Sequence, residues 1–205
     1  MSQAVPTLRT RLRFALCILL VVGTSVSAAL ADVGVPPVRP ARMVLQSRDV
    51  GSAYIQNKRF SRPRTLADAG NGDSQSIRRR LGQIWIGGYQ TGFNGRRVPW
   101  GVVSTIDVFR TSRLADVERA WKLDLIRFTG GSVVSTPSAA PGGFRVLLRS
   151  RAKIGGQPAQ IDLYMWQQGR AIATISVTGR PASFPPSLVV ALARRQDAKI
   201  RAALR

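Results

Sequence analysis

Residues 144–179 read FRVLLRSRAKIGGQPAQIDLYMWQQGRAIATISVTG, and the fold follows from how this stretch divides. Three β-rich runs, FRVLLRSRAK, QIDLYMWQQ and AIATISVTG, are separated only by Gly155-Gly156 and by Gln168-Gly169. Connections that short join antiparallel neighbours, because a parallel crossover needs a dozen residues or more. The stretch therefore reads as an antiparallel meander. In its first run Phe144, Val146 and Leu148 alternate with Arg145, Leu147 and Arg149, giving one apolar face and one largely basic face. Successive strand side chains point to opposite faces, so this alternation marks a sheet buried on one side.

Working outward, the same logic finds more strands. In IWIGGYQTGF, Trp85, Tyr89 and Phe93 recur at even spacing and are expected on one side of a strand. Asn94-Gly95 then offers a tight turn, and WGVVSTIDVF returns as its partner, the pattern of a hairpin. Thr111 or Ser112 can cap a helix from Arg113 to about Phe128, whose Leu114, Val117, Trp121, Leu125 and Phe128 form an apolar stripe. Pro185 and Pro186 open a second helix, with Leu188, Leu192, Ile200 and Leu204 on one face. Nearer the start, MVLQSRDVGSAYIQNKRF reads as a helical turn packing Leu45 and Val50, then a strand near residues 54–60. SRPRTLADAGNGDSQS is polar and turn-rich, with Asn71-Gly72 its strongest signal, and is expected to be a mobile loop. The elements sum to an α+β fold, a single antiparallel sheet of about five or six strands with two long helices packed against it.

The beginning of the chain is of another kind. Arg9, Arg11 and Arg13 precede a charge-free apolar run over residues 14–26, and Ala29-Leu30-Ala31 matches a small-residue cleavage site. A basic start, a short apolar core and such a site are the design of a secretory signal. A spanning helix needs about 20 predominantly apolar residues, whereas Gly23, Thr24, Ser25 and Ser27 dilute this run. The organisation is thus a signal peptide at 1–31, a proline-rich extended leader at 32–40 and one α+β domain at 41–205. A retained single anchor is the alternative, and either route leaves the domain secreted or extracytoplasmic.

Composition excludes more than it assigns. The chain has no histidine and one cysteine, Cys17, which lies inside the apolar run. A cleaved protein then has no disulfide, no thiolate nucleophile or ligand, and no imidazole for acid–base work or zinc. No catalytic residue, metal site or cofactor is implied. The chain holds 31 Lys and Arg and 10 Asp and Glu; without the three leader arginines the exported part carries 28 cations and a balance of +18. Such a field draws polyanions. Outside the membrane these are an acidic envelope polymer, an anionic lipid surface or an acidic protein rather than nucleic acid. Arginine outnumbers lysine 27 to 4, so a genomic bias toward arginine explains part of the excess.

The stretches VLQSRDVGSAY, GGYQTGF, VFRTSRLADVERAW and QGRAIATISVTG together resemble exported α+β domains of GC-rich Gram-positive bacteria, many of them lipoproteins or sensor-like ectodomains. The order of elements is similar to the PsbP-like architecture, and the likeness spans most of residues 41–178. This chain departs from the lipoproteins in lacking an acylation cysteine. The resemblance implies a fold and an exported location, and transfers no residue role.

The candidate sites are of two kinds. Arg78, Arg79, Arg80, Arg96, Arg97, Arg145, Arg149, Arg194 and Arg195 are the concentrated cations, suited to bidentate bonds with phosphate or carboxylate. Trp85, Tyr89, Trp100, Tyr164 and Trp166 are the aromatics that could line a pocket on the sheet, or serve as core. Asp107 and Asp162 sit mid-strand and are expected to form structural ion pairs, with Arg145 or Arg149 as partners across the sheet. The leading reading is a non-enzymatic exported domain binding an acidic or amphipathic envelope partner. The alternative is a domain enclosing a small apolar molecule, and the third is a hydrolase using carboxylates alone. Export predicts a mature chain beginning at Asp32. N-terminal sequencing of the secreted protein checks this, and a chain starting upstream assigns the apolar run to an anchor.

Overall fold

The computed structural model describes residues 38–69, 75–96, 98–128, 132–134, 143–154, 157–180 and 186–205. Pro37–Arg205 is a compact unit in itself. After a 3-10 turn at Pro40–Arg42 come α1 (Ser47–Val50), β1 (Tyr54–Pro63), α2 (Leu66–Ala69), α3 (Gln75–Ile84), β2 (Trp85–Gly95) and β3 (Trp100–Phe109). Helix α4 (Ser112–Phe128) follows, then β4 (Ser132–Val134), β5 (Phe144–Ile154), β6 (Gln157–Gln168), β7 (Ala171–Gly179) and α5 (Pro186–Leu204). The strands make one sheet in the order β1-β2-β3-β7-β6-β5-β4. Every neighbouring pair is antiparallel. The six long strands are those expected; β4 adds a three-residue edge strand not assigned from the sequence.

The sheet is covered on both faces, one by each long helix. Tyr89, Ile106, Ala173 and Trp166 lie in one row across β2, β3, β7 and β6, and share a face. On it Trp166 donates its indole N–H to Asp197 of α5 at 3.0 Å, and Ser104 donates to Gln196 at 2.9 Å. Leu192, Ala193 and Ile200 of α5 close over this face together with Met43, Val44 and Leu45. The preceding row, Gly88, Asp107, Ile172 and Gln167, faces the other way. There Phe109, Ile172 and Met165 pack with Leu81 of α3 and Ala115 of α4. The fully buried apolar side chains contribute roughly 1.5–3 kcal/mol each, and they lie on both faces of the sheet.

Two expectations are corrected on the α4 face. The stripe expected for α4 is rotated: Val117 is 53% exposed, while Ala115, Glu118 and Lys122 are buried. Side chains at 121 and 124–128, including Trp121, Leu125 and Phe128, lie outside the described residues. Lys122 occupies an inward turn because the sheet offers it a partner. The segment expected to be a mobile loop is also structured along its first half. Thr65 and Asp68 cap α2 reciprocally, with Thr65 N–H donating to Asp68 Oδ2 at 2.7 Å and Asp68 N–H to Thr65 Oγ1 at 3.2 Å. Arg62 grips the same carboxylate at 2.8 and 2.9 Å. These contacts hold the Asp68 carboxyl well below the usual range, the Arg62 bond being the largest cause. Asn71-Gly72 lies outside the described residues.

The partner under α4 is Asp107. Arg64 Nε donates to its Oδ1 at 2.9 Å, Lys122 Nζ to its Oδ2 at 3.1 Å and Trp85 Nε1 to its Oδ1 at 3.2 Å. Gly88 makes the approach possible: a Cβ there would lie 2.7 Å from Asp107 Oδ1 and 3.3 Å from Arg64 Cβ. Burial opposes ionisation of Asp107, yet attraction to Lys122 and Arg64, with hydrogen bonds from Lys122 and Trp85, outweighs it and lowers its pKa. A lowered folded pKa contributes stability that is present above the unfolded value of about 3.9. That stability is lost as pH falls through the folded value. Asp107→Asn leaves two buried cations without a counter-charge, a loss of about 3–5 kcal/mol. Urea denaturation at neutral pH should show it, and the difference from wild type should shrink below about pH 4, as the wild-type carboxylate itself titrates.

Candidate functional site

The register of β2 decides where the surface opens. Trp85 pairs with Phe109 and Gly87 with Val108, so Ile86 is one residue too many for the ladder. Such a bulge re-aims the side chains on either side of it. Trp85 therefore turns to the α4 face and its cluster, while Tyr89 and Phe93 remain with the α5-face core. The expectation that all three share one side is corrected by this single inserted residue. Ile86 is left 40% exposed.

Beside the bulge lies a cleft of about 500 Å³, lined by residues 38–41, 63–64 and 85–89. Pockets of roughly 300–1,000 Å³ suit small ligands. Its lining is mostly apolar, from Val38, Pro40, Pro63, Trp85, Ile86 and Tyr89, with two guanidinium groups nearby. Arg64 is already engaged, donating to Asp107, to Gln90 at 3.5 Å and to the Asp68 carbonyl at 2.7 Å. Arg39 is exposed and makes no salt bridge among the described residues. The arrangement can therefore hold an apolar body against aromatic and aliphatic side chains, with an anion near Arg39.

Of the five candidate aromatics, the fold brings only Trp85 and Tyr89 to this cleft. Tyr164 and Trp166 are fully buried, their rings 5.7 Å apart, and belong to the core under α5 rather than to a pocket. Trp100 is half-buried, packs on the same core and donates its indole N–H to the Tyr54 hydroxyl. Of the two roles expected for them, pocket lining or core, these three take the second. All three project toward α5 or the segment that packs beside it, where burying the ring gains more than exposing it.

The arginines divide in the same way. Arg145 is buried, giving two bonds to Asp162 at 2.7 and 2.5 Å, so its guanidinium is committed inside the sheet rather than open to a polyanion. The bond to Asp162 is the largest cause of its raised pKa. Asp162 has one of its two expected partners in Arg145, whereas Asp107 pairs with Arg64 and Lys122. Arg79 is exposed on α3, and Arg96 is exposed at the β2–β3 hairpin. Arg194 and Arg195 are exposed on α5, where Arg195 donates to the Asp49 carbonyl. The side chains of Arg78, Arg80 and Arg149, and all of Arg97, lie outside the described residues. Helices α3 and α5 cover opposite faces of the sheet, so the fold does not join their basic clusters into one patch.

Asp107 and Asp162 occupy opposite faces, as their registers across β7 require, and cannot act as a pair on one substrate. Among the described residues no group of three or more Asp, Glu, Cys or His side chains is placed to hold a metal. Sequence reasoning missed Arg39, Arg64 and Ile86. The Gly87-Gly88 pair after an apolar residue was the available signal for a bulge.

No helix among the described residues is long and apolar enough to cross a membrane. No protein-family profile matches the chain, and no curated protein matches it. Among solved structures it is similar to the crystal structure of the extracellular domain of PknH from Mycobacterium tuberculosis, with a TM-score of 0.55 and 14% identity. The alignment covers 82% of this chain and 100% of that one. At that identity the likeness is one of fold: this chain, with its seven-stranded antiparallel sheet and packed helices, is similar in overall architecture to an extracellular domain.

Proposed function

We propose that the protein is an extracytoplasmic, non-enzymatic binding domain that takes an anionic amphiphile in the cleft at the β2 bulge. The cleft carries this reading: an exposed Ile86 and two aromatics offer apolar contact, and Arg39 stands close by as a cation without a salt bridge among the described residues. Apolar lining with a few convergent polar groups is the usual composition of a small-molecule site. The secretory pattern of the first 31 residues and the fold likeness to an extracellular domain support the location. The reading joins two sequence-based alternatives, an acidic or amphipathic partner and a small apolar ligand, in one site.

Octanoate, an anion with a short apolar tail, tests it. Titration followed by NMR should shift the Trp85 indole N–H and the amides of Ile86, Gly87 and Tyr89. Octanol should shift the same signals more weakly, because it lacks the charge that Arg39 meets. Ile86→Asp should weaken octanoate binding at least about 10-fold, since it sets a carboxylate where the tail packs. Shifts scattered evenly over the surface, or none at millimolar octanoate, contradict the proposal.

A further inference from the structure

Strand β1 is an edge of the sheet, and its outer half is not a regular strand. Asn57 pairs with Gly92 and Arg62 with Gln90, so residues 58–61 face Thr91 alone. The excess chain folds into a closed bulge. Arg59 N–H donates to Asn57 Oδ1 at 3.1 Å, and Ser61 Oγ donates to the Asn57 carbonyl at 2.9 Å. The Gly92 N–H reaches back to Ser61 Oγ at 3.4 Å. Phe60 lies across Gly92, where a Cβ would come within 2.7 Å of the Phe60 Cβ.

The bulge presents an unusual set of side chains. Phe60 is 49% exposed and Ile55, on the same edge, is 54% exposed. Lys58 and Arg59 between them are exposed and make no salt bridge among the described residues, whereas Arg62 is tied to Asp68. Phe60 on the bulge and Ile55 just before it leave two large apolar side chains in water along one edge, the kind of surface that a partner covers.

The occupant can be argued from the same residues. A second copy, or an acidic peptide adding as a strand, needs an unbroken row of free backbone groups, and the bulge interrupts that row. Edge-to-edge pairing of two copies would also set Lys58 and Arg59 against their own duplicates. An anionic lipid surface needs no ladder. It accepts apolar side chains at the headgroup boundary and attracts each cation held there. We infer that the β1 bulge is a membrane-docking element, with Phe60 and Ile55 entering the interface of an anionic phospholipid surface and Lys58 and Arg59 meeting its headgroups. This surface is separate from the cleft and does not depend on the ligand proposed there.

The test is co-sedimentation of the chain from Asp32 onward, which lacks the apolar run, with phosphatidylglycerol or phosphatidylcholine vesicles. Binding to phosphatidylglycerol and not to phosphatidylcholine is expected. The double charge reversal Lys58→Glu with Arg59→Glu should weaken it at least about 10-fold, and Phe60→Ala about 5-fold. Far-UV circular dichroism checks that each variant is folded. Ile86→Asp should leave vesicle binding unchanged, and the bulge variants should leave octanoate binding unchanged, so either site can fail without the other. No binding of the wild type to phosphatidylglycerol overturns the inference. So does binding that survives both bulge variants, which would place the lipid on other arginines. Sedimentation lost at the first addition of salt but insensitive to Phe60→Ala would mean a charge film without insertion, and would overturn it equally.

Discussion

One buried carboxylate organises the end of this protein that carries the cleft. Asp107 sits mid-strand in β3 and is almost wholly enclosed, yet it accepts from a guanidinium, an ammonium and an indole. A buried ion pair is weak evidence for net stability, because desolvation offsets much of the attraction. Its value here is positional. Arg64 reaches Asp107 from the end of β1, Lys122 from α4 and Trp85 from the β2 bulge, so one group ties three elements together. The α5 face is built differently: its core is aromatic and aliphatic, and its polar bonds run from Trp166 and Ser104 to the helix. Charge is used there in the buried Arg145–Asp162 pair and, near the margin, where Lys199 meets Asp49 at 2.8 Å.

The cleft depends on this arrangement through two small features. The inserted residue Ile86 turns Trp85 toward Asp107 and leaves its own side chain outside. The missing side chain at Gly88 lets Arg64 cross above the strand, and the Arg64 backbone N–H donates to the Gly88 carbonyl at 3.0 Å. One wall of the cleft is therefore held by a charge network and another by a backbone irregularity. Binding sites placed on such rigid supports lose less entropy on occupation. The second surface, on β1, uses a larger irregularity to opposite effect, turning an edge that could pair into one that presents side chains.

The sheet was legible because its signals are local. Glycine-bearing turns and period-two alternation give the β5–β7 meander and the β2–β3 hairpin directly, and the leucines of α5 mark its buried side. What was not legible depends on distant partners. Hydrophobic spacing cannot place Glu118 and Lys122 inward on α4, because a buried lysine is tolerated only where a carboxylate from another strand awaits it. The polar stretch after β1 looked loose for the same reason. Its Thr65 and Asp68 carry the spacing of a capping box, but Arg64 finds its anchor 43 residues away. Arg145 and Trp166 were visible as a cation and an aromatic, and only the register shows that both point into the α5-face interior. Charge counts describe how many cations a surface has; the fold decides which remain available.

The central claim is that Asp107 holds the cleft in place rather than the domain as a whole. Hydrogen–deuterium exchange of Asp107→Asn against wild type measures this directly. Faster exchange is expected at residues 64–69, at the β2 bulge and along α4, by clearly more than the general loss of protection that lower global stability brings to the β5–β7 meander and α5. Uniform loss of protection across the sheet, or no local change at residues 64–69, would contradict the account.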